Sequence, residues 1–445
     1  MLDPFQLSNA NPQAFELTRK AGARYVRLVV PWSAIAPATP PDGFDGADPT
    51  SQAYSWGWLD GLVEAATAAG VTPILDIGGT PNWAYSQPPS GGNAGAPDIA
   101  ALGQFARALA MHFDGTGAAP AVKIYEVWNE PNLSLDLAPA SPSIYREMIN
   151  VVADGVHSVD PANLVVAGGL DPFGHPKSRK QHWYSVAPLA FMRSVLCLSK
   201  GRHPHSTCSG KVHFDIWSHH PYSFGGAFGK ARQPDNVQLG DLPKMRALLR
   251  AGVRLHHVVS TRSVQFWVTE FGWDTYPPRR GAASLDLASR WTAESMYQAW
   301  RSGVSLFTWF DLEDQGGSGP YKSGLYFHAA SLADARPKRL LTAFRFPFVA
   351  YLHRSTVSVW GRDATSDKQR VTIQLRHGKS GRWRTVAFIV ANRYGIYRAT
   401  LKLKSSKKDW LRAVAPHSGK SLAFALKVPR TPHIGAWGGV PPSRR

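Results

Sequence analysis

The 445-residue sequence predicts an α/β chain, a (β/α)8 TIM barrel whose first strand is truncated, followed by a small all-β sandwich. Three observations carry this. Seven strand-like apolar runs are each followed by a segment of helical periodicity, the alternation that builds a parallel sheet. Two of those runs bring a glutamate to their C-terminal ends, the edge at which a barrel gathers its chemistry. After residue 352 the period shifts to alternation of apolar and polar residues.

The first helix is expected over 11–22, with Pro12 near its start, Ala14, Phe15 and Leu17 on one side and Gly22 at its end. The run Arg24 to Val30 is broken by Pro31, and helix 58–69 ends at Gly70. Run 71–77 leads through a Gly/Pro/Ser loop to helix 98–113. Next comes Lys123-Ile124-Tyr125-Glu126-Val127-Trp128-Asn129-Glu130, stopped by Pro131, which cannot donate to a ladder. Helix 144–159, run 164–169, helix 186–198, run 212–220, helix 242–252, run 266–273, helix 284–301, run 304–310 and helix 338–352 complete the series. The count is one strand short of eight, and only residues 1–5 or so precede the first helix. A chain that begins late, with part of the first strand and any export signal lying ahead of it, is the expectation. Beyond the catalytic domain, 1–352, six alternating runs separated by turn residues make a sandwich over 353–430, and a loose tail rich in Pro, Gly and Arg fills 431–445.

Composition narrows the class. Ordinary apolar content describes a globular protein, and no run approaches the roughly 20 apolar residues of a membrane span. Charge is uneven: residues 352–445 hold 20 Lys and Arg against 3 Asp and Glu, leaving 30 against 28 in the rest of the chain. A basic module is thus joined to a nearly neutral one, which suits an anionic polymer of a cell wall or, equally, a solvated surface. No nucleic-acid-binding motif accompanies the charge. Cys197 and Cys208 lie in a polar segment, where a disulfide would contribute about 2–3 kcal/mol and indicate an oxidising, extracellular setting. A zinc site with His203, His205 and His213 is the competing reading, though its spacing matches no established pattern.

The motifs carry the function. Glu130 in Trp128-Asn129-Glu130-Pro131 and Glu270 in Val268-Thr269-Glu270-Phe271 close two strands that a barrel places across its mouth from each other. These runs resemble the acid/base and nucleophile strands of glycoside hydrolase clan A. With Thr80-Pro81-Asn82-Trp83-Ala84, they are most similar to the family-39 and family-5 branches. The resemblance spans about residues 9–350. It implies that Glu130 protonates the leaving oxygen, that Glu270 attacks the anomeric carbon, and that the two carboxyls stand about 5–5.5 Å apart. It further implies that Asn129 binds the sugar 2-hydroxyl, that Arg27 keeps the nucleophile charged, and that His220 and Tyr222 support it. Trp309 becomes the aromatic floor under the reacting sugar, and Trp83 a substrate-stacking ring. Neither cofactor nor metal is called for.

Each residue also has a plainer reading. Arg27 can pair with Asp76 or Glu126 inside the barrel, His219 can replace His220, and Trp32, Trp83, Trp183 and Trp273 can be rim packing. The leading expectation is a secreted, monomeric, retaining hydrolase of β-linked glycosides, either a β-xylosidase or β-glucosidase or an endo-β-glucanase. Residues 171–211 would form a lid. A catalytically inactive sugar-binding barrel, or a transglycosylase using the same intermediate, is the alternative.

Overall fold

The structure is a computed structural model that describes residues 1–4, 6–178, 181–364 and 368–437. One seven-stranded parallel sheet follows the chain order: β1 (Tyr25–Pro31), β2 (Thr72–Gly78), β3 (Ile124–Val127), β4 (Leu164–Leu170), β5 (Ile216–His219), β6 (Gln265–Val268) and β7 (Leu306–Phe307). Helix α1 (Pro12–Lys20) precedes it, and α2 (Gly57–Ala68), α3 (Ile99–His112), α4 (Pro142–Val159), α5 (Pro188–Val195), α6 (Leu242–Arg254), α7 (Leu285–Arg301) and α8 (Arg339–Arg345) follow successive strands. Local chemistry fixes the helix starts. Asp98 caps α3 by accepting from Ala101 N at 2.9 Å, and Ser141 caps α4 with Pro142 in its first turn.

The sheet curls until its edges meet through the first two residues. Arg27 N donates to Met1 O at 2.9 Å, Leu2 N donates to Trp309 O at 2.9 Å, and Leu2 bridges Phe310 in parallel. The first-strand position is therefore held by a short stretch, as the count of runs implies.

Alternation along the strands stacks the barrel interior in layers. Ile74, Ile124, Val166, Ile216 and Trp267 form a buried apolar floor. Two residues further along their strands come Asp76, Glu126, Ser218 and Thr269, all buried, with Arg27 of β1 among them. The register sets Asp76 beside Glu126. The strands thus carry charge at one level and hydrocarbon at the level below it.

The C-terminal boundary differs from expectation. The helix foreseen over 338–352 stops at Arg345, because Pro347 has no N–H to donate and disfavours helix at the residue before it. The residues beyond it form β8 (Phe348–His353), which pairs antiparallel with β9 (Thr356–Arg362). The module therefore begins at residue 348. Its two sheets are β8–β9–β12 and β11–β10–β13, with β10 (Arg370–His377), β11 (Arg384–Val390), β12 (Ile396–Lys402) and β13 (Asp409–Ala415). Their inner faces close over Val357, Val359, Val371, Ile373, Leu411 and Ala413. Helix α7 joins the two units: Trp291 lies in the barrel core, while Tyr297 and Trp300 pack on Trp360 of the module.

Two further findings concern loops. Cys197 and Cys208 form a disulfide with Cα atoms 5.2 Å apart, so no thiolates remain for the zinc alternative. The tail expected to be loose from 431 is docked over 431–437. Ala436 N donates to Ser223 O at 2.9 Å and Gly225 N to Ile434 O at 3.0 Å. Residues 438–445 lie outside the described residues.

Candidate active site

The site rises from the charged layer of the barrel. Arg27, 2% exposed, donates through Nε to Glu126 Oε2 at 2.5 Å, and its Nη2 lies 3.0 Å from Asp76 Oδ2. Nη2 also donates to Asn129 Oδ1 at 3.2 Å, and Nη1 to Glu270 Oε2 at 3.4 Å. Burial disfavours the guanidinium, but the carboxylates of Asp76, Glu126 and Glu270 outweigh it and hold the charge firmly in place. The pairing with Asp76 and Glu126 and the pairing with Glu270 both occur, through different nitrogens of one planar fork.

A strained turn presents Glu130. Trp128 and Glu130 both adopt left-handed backbone, with φ of 70° and 38°. Trp128 N donates to Ile77 O at 3.0 Å, and Glu130 N to Gly169 O at 3.1 Å. The acceptor belongs to an irregularity in β4 that only glycine permits. Gly168 has φ of +109°, and a Cβ there would meet Ser218 O at 2.2 Å. The turn lifts the Glu130 carboxyl off its strand and into the mouth.

Glu270 follows the end of β6, where its Oε1 accepts from the Tyr222 hydroxyl at 2.8 Å. His220 stands between the two glutamates, with Nδ1 3.0 Å from Glu130 Oε1 and 3.9 Å from Glu270 Oε2. The structure therefore sets His220 chiefly against Glu130, whereas the family resemblance had placed it with the nucleophile. One oxygen of each glutamate and one nitrogen of His220 lie within 4.8 Å of one another. Among the described residues this is the group compact enough to hold a metal ion.

The hydrogen bonds around His220 have a direction. Thr269 Oγ1 donates to Glu126 Oε1 at 2.8 Å, so it accepts from His220 Nε2 at 3.2 Å. Burial pushes this imidazole down to about 4, against the attraction of Glu270, so the ring is neutral at pH 7. With its proton on Nε2, the ring offers a lone pair at Nδ1, which suits a Glu130 that carries a proton.

The carboxyls divide accordingly. Burial first, then the charges of Glu270 and Asp136, push Glu130 well above 4.5, opposed by Arg27. The Tyr222 phenol is also raised, by burial and by Glu270, and stays a donor. Asp136, pushed up to about 7 by burial, accepts from Asn129 Nδ2 at 3.0 Å.

Six of the eight residues singled out from the sequence meet at this mouth: Glu130, Glu270, Asn129, Arg27, His220 and Tyr222. Trp309 does not. It is fully buried, donates its indole N–H to Ser323 O at 2.9 Å and packs on Phe271 and Phe344, so it has no face to offer a sugar. Trp83 donates to Pro37 O at 2.8 Å and sits edge-on to Trp32 and Phe44, in the wall beyond β2. Trp32 and Trp273 are likewise fully buried. Of the segment expected as a lid, Tyr184 and Val186 bond to the loop after Glu130, with Ser134 N donating to Tyr184 O at 2.8 Å and Val186 N to Asn132 O at 2.8 Å. Asp136, Thr269 and Ser218 join the site unannounced. Asp136 lies in a loop without periodicity, whereas the parity Glu126–Trp128–Glu130 was the signal that Glu126 faces inward.

Comparison with known proteins gives the family and the fold. The family model described as Cellulase (glycosyl hydrolase family 5) matches residues 5–274, a stretch containing both glutamates. The solved structure of a family-39 glycoside hydrolase from Xanthomonas axonopodis pv. citri is similar, with TM-score 0.52 and 15% identity over 92% of this chain and 92% of that one. A monomeric β-xylosidase from Caulobacter crescentus CB15 has TM-score 0.52 and 15% identity over 92% and 94%. A glucosidase from Croceicoccus marinus has TM-score 0.50 and 14% identity over 87% and 89%. At such identities the likeness is one of fold. No curated protein matches the sequence. The family match covers well over half of the chain, and the protein is a glycosidase that belongs to the cellulase family, glycosyl hydrolase family 5.

Proposed function

We propose that the protein cleaves β-glycosidic bonds with retention of configuration, by double displacement. The observation that supports this most is the close approach of the Glu130 and Glu270 carboxyls, within 4.8 Å at their nearest oxygens. Inverting enzymes set their carboxyls about 6.5–9.5 Å apart to admit a water between sugar and base. Glu270, held by Tyr222 and Arg27, attacks the anomeric carbon as the glycosidic C–O bond breaks, and Glu130 gives its proton to the departing oxygen. Water then attacks the same carbon, gives a proton to Glu130 and releases Glu270. Asn129, anchored by Arg27 and Asp136, presents its amide to the sugar 2-hydroxyl. The substrates are β-xylosides and β-glucosides, in keeping with the activities named for the two similar structures. Proton NMR of the first turnovers on an aryl β-glycoside is expected to show the β-anomer of the released sugar before mutarotation. First formation of the α-anomer would sink the reading.

The module extends it. Both described carboxylates of residues 348–430, Asp363 and Asp409, are buried, so the exposed charge among the described residues there is cationic. On the sheet β11–β10–β13, Arg370 lies 3.7 Å from the Phe388 ring, and Arg412 and Arg376 lie 4.1 and 4.7 Å from that of Trp383. Planar cations alternating with aromatic rings suit an anionic cell-wall polysaccharide. With the disulfide, this describes an extracellular, wall-associated monomer. The full chain is expected to be retained on polygalacturonate at low ionic strength and released by about 0.5 M salt, where the screening length falls below roughly 5 Å. Elution in the void volume at low salt would make the charge a matter of solubility.

A further inference from the structure

The described part of the tail that leaves the module, residues 431–437, reaches the active-site mouth beside Tyr222, which donates to Glu270. Residues 431–437 cross the loops after β5 and β6. Ala436 N donates to Ser223 O at 2.9 Å, next to Tyr222, and Ala436 O accepts from Asp274 N at 2.5 Å, four residues beyond Glu270. Gly435 bridges Phe224 antiparallel, and Ala436 is 2% exposed. A segment anchored on both loops is a built part of the mouth.

Trp437 follows directly. Its ring centre stands 5.3 Å from Tyr222, 5.8 Å from Phe224 and 6.2 Å from Phe173, the last in the lid segment. All three contacts are edge-to-face, at interplanar angles of 62°, 81° and 89°, and none is a parallel stack. The ring is only half buried. The Tyr222 it touches donates to Glu270 at 2.8 Å. An indole that is half buried, engaged in no parallel stack with these three rings and one side chain from Glu270 has the form of a sugar platform, because the C–H face of a pyranose packs on a flat ring. Of the tryptophans that the sequence suggested for this task, Trp309, Trp32 and Trp273 are fully buried, and Trp83 and Trp183 are half buried, with Trp83 edge-on to Trp32 and Phe44.

We propose that Trp437 is a substrate-binding residue, a wall for the pyranose ring on the nucleophile side, so that the tail beyond the β module contributes directly to the catalytic site. The inference rests on the glycosidase reading and names a subsite within it. Trp437→Ala in the full chain is expected to raise KM for p-nitrophenyl β-D-xyloside or β-D-glucoside about 10-fold, the equivalent of about 1.4 kcal/mol. The inhibition constant of the matching free sugar should rise by the same factor, with Tm within about 2 °C of the parent. Trp437→Phe, which keeps a flat ring, should restore most of the affinity. Unchanged KM and inhibition constant in Trp437→Ala, or a lowered Tm as its sole effect, would overturn the proposal and leave Trp437 as packing. A parent chain inactive on both glycosides would count against the glycosidase reading instead. Calorimetric titration of xylose or glucose into Glu270→Gln, with and without Trp437→Ala, then decides the subsite on its own.

Discussion

Replacing Glu270 by alanine is expected to lower kcat on aryl β-glycosides by about 10⁴-fold or more while the fold persists. Removing an enzyme's nucleophile abolishes the covalent route and leaves the residual rate that binding and electrostatics provide. The fold should survive because Glu270 is the outermost of the groups on Arg27, whose contacts with Asp76, Glu126 and Asn129 remain. Sodium azide makes the test specific. With the nucleophile gone, azide enters the space it vacates and attacks from that face, so the product is an α-glycosyl azide. Near-parent activity in Glu270→Ala, or a β-glycosyl azide, would remove Glu270 from the role.

Glu130→Ala should produce the second-largest loss, and one that depends on the leaving group. For a β-disaccharide, whose departing oxygen needs a proton, the rate should fall about 10³- to 10⁴-fold, as for other general acids. For a 2,4-dinitrophenyl glycoside, which departs as a stable anion, formation of the intermediate should continue. Hydrolysis of that intermediate then lags, so a burst of dinitrophenol precedes a slow steady state, and azide restores turnover with a β-glycosyl azide. The parent's pH profile supplies the sign. An acid must be protonated to work, and burial together with Glu270 and Asp136 raises Glu130, so kcat/KM should fall as pH climbs through a value above 4.5. His220, pushed down to about 4, does not produce that limb. Glu130→Ala should therefore lose it; an alkaline limb unchanged in the variant would assign it to another group.

The barrel was legible because its cause is local. Periodicity and strand-ending prolines mark seven runs, and parity along a strand determines which residues share a face. Glu130, Glu270 and Arg27 could be placed at one mouth for that reason. What could not be read arises from distant contacts. Asp136 meets Asn129 only because the turn at Trp128 and Glu130 adopts left-handed backbone, which no pattern of residues announces. Trp309 sits next to the mouth in sequence, yet its side chain turns into the core between Phe271 and Phe344. Phe348–His353 is a run of apolar and aromatic residues without alternation that directly follows helical residues, and Pro347 alone marks the change. The tail is the plainest case: its composition signals a loose end, while its docking depends on loops more than 150 residues earlier.

The apolar floor beneath the charged layer has a consequence for the order of events. Ile74, Ile124, Val166, Ile216 and Trp267 fill the barrel below the charged layer, so among the described residues the approach to the glutamates is from the mouth. On the proposed double displacement, what reaches Glu270 comes through the doorway by which the aglycone departs, and the incoming water waits for that exit. Any alcohol in the surrounding medium queues at the same doorway on equal terms. The partition between hydrolysis and transfer of the sugar to an alcohol is then decided by traffic at the threshold, at the lid and the tail, rather than by the two glutamates inside.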